Sequence, residues 1–242
     1  MDQPGSRVVV IARAAVRTTA PDAAGAVAER LAADVRALGA GPTTSAAHAP
    51  SAGAATGDRT VAHALVAALA VRRDRRVGAD APDGPWIVVG TEGDATFGIA
   101  CTAAGMARAR ALPVLASIVG ASAGRSGDPE RAASPGTPAR LRAAARAVRL
   151  ALADGRLRSQ DVAVLLADGP VVADAAARGA LARIALGPHG AAVPTPPAGI
   201  DGSFASALAL CAERRPPLDA LVVAVATGRA DAAVVLRGPA DR

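Results

Sequence analysis

Lysine and tyrosine are absent from this chain, and other aromatic side chains are rare: one Trp and two Phe. All 27 basic residues are therefore Arg, and the formal net charge is +6. Such a charge would by itself raise nucleic-acid binding. Bases need aromatic platforms to stack on, and here the arginines are scattered along helix faces. Nucleic acid is therefore set aside as a partner. Cysteine is almost absent as well. Cys101 and Cys211 both lie in apolar context, which excludes a disulfide framework and a Cys-rich zinc pattern. His48, His63 and His189 show neither metal spacing nor a fixed offset from a carboxylate, so they read as structural or solvated and no metal is expected. Gly90 to Gly93 lacks the spacing of a dinucleotide fingerprint or a P-loop, so no cofactor is expected either. No apolar run reaches the roughly 18 residues of a membrane span. No signal-peptide pattern precedes the strand-like run at Arg7, so the expectation is a cytoplasmic protein without a membrane partner.

What is present is a large apolar fraction, 51%, supplied mostly by Ala, Val and Leu. A chain of 242 residues with that content can bury a sizeable core, in one domain or in two packed halves. The most informative stretch is Asp161 to Pro217. Val162 to Ala167 is an apolar run of strand length, broken by Asp168-Gly169-Pro170. Asp174 can cap a helix carrying Ala177, Leu181 and Ile184 on one face, closed by Gly187 and Pro188. Ala191 to Val193 reads as a short strand. Ser203 reads as a second cap, opening a helix with Ala207, Leu208 and Cys211 inward. Strand, helix, strand, helix predicts a parallel sheet with right-handed crossovers.

The rest of the chain follows the same logic. Arg7 to Ala15 predicts a strand, and Asp22 to Leu38 a helix with Val27, Leu31 and Val35 inward. Gly41 to Gly57 and Ala123 to Gly136 read as loops. Arg59 to Arg73 predicts a helix burying Val61, Leu65, Ala68 and Leu69. Trp86 to Val89 predicts a strand that ends at the turn Gly90-Thr91-Glu92, and Ala95 to Ala103 predicts its partner strand. A short basic helix, Ala104 to Ala111, and a strand, Val114 to Val119, follow. Thr137-Pro138 is a helix start whose stripe is Leu141, Ala145, Val148 and Leu152, with Arg140, Arg142, Arg146 and Arg149 on the solvated side. Leu221 to Ala226 and Ala232 to Leu236 predict an antiparallel pair at the end of the sheet. One layout is thus used twice, over residues 1–110 and again, more completely, over 111–242.

Several of these segments resemble the thiolase-fold ketosynthases, and most closely the chain-length factor, the non-catalytic beta subunit of type II polyketide synthases. Val164-Leu165-Leu166-Ala167-Asp168 resembles the chain-length-factor strand that ends in Ala-Asp where ketosynthases have Ala-His-Gly-Thr. Gly187-Pro188-His189-Gly190 with Val193-Pro194 is similar to the stretch before the family's lysine loop. Residues 83–92, DGPWIVVGTE, resemble the strand ending in Gly-Gly-Thr-Glu. Arg108-Ala109-Arg110-Ala111 resembles the family's entry to its next strand. The resemblance covers most of residues 58–237. It implies an α/β fold: a reduced thiolase-like double repeat, layered α/β/α/β/α, with an abbreviated first half. The chain is shorter than a full family member, mostly between its first strand and residue 58.

Ketosynthases act through a Cys at a helix start, two His and a Lys. The resemblance puts Asp58 at the Cys position and Asp168 at the first His. Pro197 to Gly202, the window of the second His and the Lys, contains neither type. Ala226-Thr227-Gly228-Arg229 stands at the family's Gly-Phe-Gly-Gly loop and lacks its Phe. No catalytic residue is therefore expected. What the resemblance implies is an inactive subunit of a polyketide or fatty-acyl synthase that binds a ketosynthase, an acyl carrier protein or a second copy of itself. The residues leave two alternatives open. One is a divergent enzyme using Asp168, Asp58 or Cys101 on an acyl thioester; the other is a homo-oligomeric structural remnant. Asp58 also reads as a helix cap, and Cys101 as a core residue in a strand. Asp168 ends a strand at the sheet edge where α/β folds place their ligands.

Overall fold

A computed structural model describes residues 8–18, 20, 22–43, 45–48, 60–75, 84–92, 94–124, 137–196, 202–213, 220–228 and 230–239. In chain order the elements are β1 (Val8–Val16), α1 (Ala23–Ala37), β2 (Ser45–His48), α2 (Val61–Arg75), β3 (Trp86–Glu92), β4 (Ala95–Ala103), α3 (Ala104–Ala109) and β5 (Ala116–Ala123). There follow α4 (Pro138–Asp154), β6 (Val162–Asp168), α5 (Ala175–Leu186), α6 (Gly202–Ala212), β7 (Leu221–Ala226) and β8 (Ala232–Arg237).

Local chemistry sets the helix ends. Thr137 accepts the Arg140 amide and Pro138 occupies the first helical position, so α4 starts where a cap and a preset φ coincide. Asp174 does the same for α5 by accepting the Ala177 amide at 2.7 Å. The stripes of α1 and α4 are buried as their spacing predicts, at Val27, Leu31 and Val35 and at Leu141, Ala145, Val148 and Leu152. Each Val or Leu fully removed from water contributes about 1.5–3 kcal/mol. Small residues let α4 lie close to the sheet. A Cβ on Gly120 of β5 would stand 2.1 Å from the Ala151 carbonyl oxygen, so only glycine fits there.

The strands form one eight-stranded sheet in the order β2-β3-β4-β1-β5-β8-β7-β6. β2 runs parallel to β3 and β6 parallel to β7; the other neighbours are antiparallel. Read outward from the β1–β5 seam, the two halves have the same order. The sheet cannot be flat. With strands about 4.8 Å apart, β3 and β7 would stand about 24 Å from each other, well beyond one helix diameter. Yet Val61 and Leu65 of α2 share one core cluster with Trp86 and Val88 of β3 and with Val222 and Val234 of β7 and β8. Phe204 and Leu208 of α6 belong to the same cluster. The sheet therefore curls around α2 and α6. α1 covers the outer face of the first half, and α4 and α5 that of the second, giving the layering α/β/α/β/α.

Several expectations need correction. Ser45–His48, predicted as loop, forms the edge strand β2 against Trp86–Val89. Ala191 to Val193 is no strand: a 3₁₀ turn spans Gly187–Ala191, and the chain then sends the Pro194 carbonyl to the edge amide of Leu165. β7 and β8 are antiparallel as expected, but they lie inside the sheet, because β8 also pairs with β5 and β6 takes the edge. Arg140 is not solvated. It is 3% exposed, whereas Arg142, Arg146 and Arg149 do face water. Ser203 is not a cap, because α6 already begins at Gly202.

Candidate functional site

Three strand ends and two helix starts converge on one spot. Thr60 forms a parallel bridge to Thr91, which sets the start of α2 beside the end of β3. One turn into α2, His63 is held at both ring nitrogens. Nε2 lies 3.0 Å from the Ala230 carbonyl and Nδ1 2.7 Å from the Thr60 hydroxyl. A carbonyl only accepts, so Nε2 carries the hydrogen. His63 had read as structural or solvated; the fold sets it beside Asp168, whose charged form it favours.

Asp168 ends β6, as its place at the close of an apolar run predicts. Its Oδ2 accepts the Ser203 amide at 2.9 Å. Its main-chain carbonyl accepts from both the amide (3.0 Å) and the hydroxyl (2.7 Å) of Thr227 at the end of β7. Burial raises the Asp168 carboxyl above its ordinary range; the Ser203 amide and His63 pull the other way.

Glu92, the last residue of β3, was legible only as part of a strand-end turn. The structure makes it central. Its Oε2 accepts the amides of Phe204 at 3.1 Å and Ala205 at 3.5 Å, in the first turn of α6. The Val61 amide at the start of α2 faces the same carboxyl. Glu92 is 1% exposed, and its Oε1 has no hydrogen-bond partner among the described residues. Burial first, and the charge of Asp168 second, push its carboxyl well above the usual range. The signal that could have pointed to it is position: an acid that closes a strand opened by an apolar run, like Asp168.

The remaining candidates do not join this group. Asp58 lies outside the described residues, as do Pro197 to Asp201 and Arg229. Cys101 sits within β4, opposite Val10 and Trp86, and is fully buried. Burial drives its thiol far above the ordinary value. Cys211 lies on the inner face of α6, its thiol pushed up to about 12 by burial. His189 is exposed on the turn after α5, and His48 ends β2. No group of three or more His, Cys, Asp or Glu that could hold a metal occurs among the described residues. No described helix is long and apolar enough to cross a membrane.

No protein-family model and no curated protein matches the chain. Solved structures do. The ketosynthase domain KS8 of OzmH, from the oxazolomycin system of Streptomyces albus JA3453, aligns with a TM-score of 0.53 at 17% identity, over 74% of this chain and 63% of that one. Domain KS7 of the same protein aligns at 0.52 and 17% identity, over 74% of this chain and 44% of that one. A type II polyketide synthase acyl carrier protein in complex with its hexaketide-bound ketosynthase aligns at 0.46 and 17% identity, over 60% and 44%. The fold is that of the thiolase-like ketosynthases. The chain spans between 44% and 63% of the length of these structures.

Proposed function

We propose that this chain is a non-catalytic, ketosynthase-like subunit of the chain-length-factor kind, acting by binding a ketosynthase or an acyl carrier protein in polyketide or fatty-acyl assembly. Its two abbreviated and complete halves would be residues 1–110 and 111–242. The observation that supports this reading is a ketosynthase fold in which both cysteines lie in the core while carboxyl groups stand at the converging strand and helix ends. Thioester exchange needs an exposed, activated nucleophile. A thiol held in the core with a raised pKa does not supply one.

The test is affinity capture of the tagged full chain from its native cells, followed by the mass of the intact complex. Recovery of a ketosynthase or acyl carrier protein at fixed stoichiometry is the expected result. Recovery of the chain alone, or only of copies of itself, would overturn the partner role.

One observation favours a second reading, a divergent acyl-processing enzyme. Glu92 and Asp168 both hold their protons above the ordinary carboxylate range, as acid–base groups do. In that case Glu92→Gln and Asp168→Asn would each change the pathway's product profile while leaving the complex intact. An unchanged profile with both variants would sink it.

A further inference from the structure

The first amides of any helix lack partners within it, and a side chain close in sequence normally takes one of them. At the start of α6, three consecutive amides go instead to carboxyls delivered from far along the chain. Ser203 donates to Asp168, 35 residues away, and Phe204 and Ala205 donate to Glu92, 112 and 113 residues away. The Val61 amide of α2 also bears on the Glu92 carboxyl. Two helix starts thus bear on a single carboxyl group; their amides favour its charged form, while burial and the Asp168 charge oppose it. The backbone is built around it. Gly202 has φ +87°, and a Cβ there would stand 2.3 Å from Glu92 Oε2. The other oxygen, Oε1, is buried and has no hydrogen-bond partner among the described residues. A purely structural cap would not require an acid fully removed from water with one oxygen unused; a neutral Ser or Asn suffices for that task.

We propose that the starts of α2 and α6 form one carboxylate-binding site, and that Glu92 is its built-in occupant, closing the site to small external carboxylates. The ligand class follows from the side chain. Replacing Glu by Ala removes one methylene and its carboxyl, which is the size and shape of acetate. Formate and propionate bracket it. Among the described residues, Asp168 on β6 and His63 on α2 are the titratable groups that face the site. The Asp168 charge opposes a second anion, so occupancy by an external acid rises as pH falls. This inference deepens the non-catalytic reading, since amides that could hold an acyl oxygen are already taken.

Thermal unfolding of wild type, Glu92→Ala and Glu92→Gln in rising sodium acetate, against sodium chloride at equal ionic strength, tests it. Glu92→Ala should gain about 2–4 °C in Tm with acetate, while wild type and Glu92→Gln stay flat. A folded Glu92→Ala that ignores acetate, formate and propionate overturns the proposal. So does an equal response in wild type, which would put acetate elsewhere. If Glu92→Ala does not fold in buffer, the yield on refolding becomes the readout. Rescue by acetate supports the site, and failure with all three acids overturns it. Capture of a partner is independent of these outcomes, so the two ideas can fail separately.

Discussion

Arg140 and Asp231, 91 residues apart, form a doubly hydrogen-bonded ion pair in the interior, with Nη1 2.7 Å from Oδ2 and Nη2 2.8 Å from Oδ1. Arg140 is 3% exposed and Asp231 0%. The same guanidinium donates to the Gly228 carbonyl, so the first turn of α4 grips the turn between β7 and β8. His63 holds that turn from α2 through the Ala230 carbonyl. The turn between β7 and β8 is thus fastened from two sides.

Breaking this pair from one side strands a buried charge. Arg140→Met and Asp231→Leu should each lower stability by about 3–5 kcal/mol in urea unfolding. The double variant should lose less than either single one, because no charge is left without a partner. Simple additivity of the two losses would contradict the pairing.

The raised carboxyl of Glu92 makes stability depend on pH. A folded-state value above the unfolded one contributes fully below the unfolded value and is lost as pH rises through the folded one. Asp168 is raised in the same direction. Wild type should therefore lose stability from mildly acidic to alkaline pH, by at most about 1.4 kcal/mol per pH unit for each group. Glu92→Gln keeps the acceptor for the Phe204 amide and removes the charge. Its advantage over wild type should grow with pH in urea titrations; an advantage that shrinks would reverse the sign.

Two glycines offer a matched comparison. Gly202→Ala meets Glu92 Oε2 at 2.3 Å in a left-handed backbone and should cost about 1–3 kcal/mol. Gly105→Ala, in α3 with nothing within 4 Å of its Cβ, should be neutral or stabilising by up to about 1 kcal/mol. Equal melting points for the two variants would mean that the close approach at Gly202 is absent in solution.

Neither thiol should react in the native state. Both Cys101 and Cys211 are fully buried, and burial raises both thiols. Intact-mass measurement after iodoacetamide treatment should show no adduct until denaturant is added, and two adducts afterwards. Rapid native labelling of Cys101 would instead support a reactive thiol.

How much of this was legible in the sequence depends on how far each signal reaches. Thr137, Asp174 and the Val27-Leu31-Val35 stripe act within a turn or two, and their helices stand where the pattern puts them. The apolar runs that became β1, β3, β4, β6, β7 and β8 were legible for the same reason. Ser45–His48 carries no strand signal of its own; it is extended because it pairs with β3. Ala191 to Val193 is apolar enough for a strand, but a 3₁₀ turn runs through Ala191 and it is the Pro194 carbonyl that meets the β6 edge. Arg140 looks like its exposed neighbours because Asp231 is invisible to local periodicity. In the site, Asp168 was marked by ending a strand. Glu92 escaped because what it caps is a helix start 112 residues away.

The seam between β1 and β5 consists of three registered pairs, Val8 with Ile118, Val9 with Ser117 and Val10 with Ala116. Across it, α2 packs on strands of the second half and α6 reaches β3 of the first. In protein-engineering terms this makes the molecule a split-protein candidate. Cut in the connector between α3 and β5, each fragment would be left with a helix whose apolar face is uncovered. Neither should fold alone, and mixing should restore one complex with concentration-dependent melting. The dissociation constant of that pair would then measure directly what the seam and the shared helices contribute.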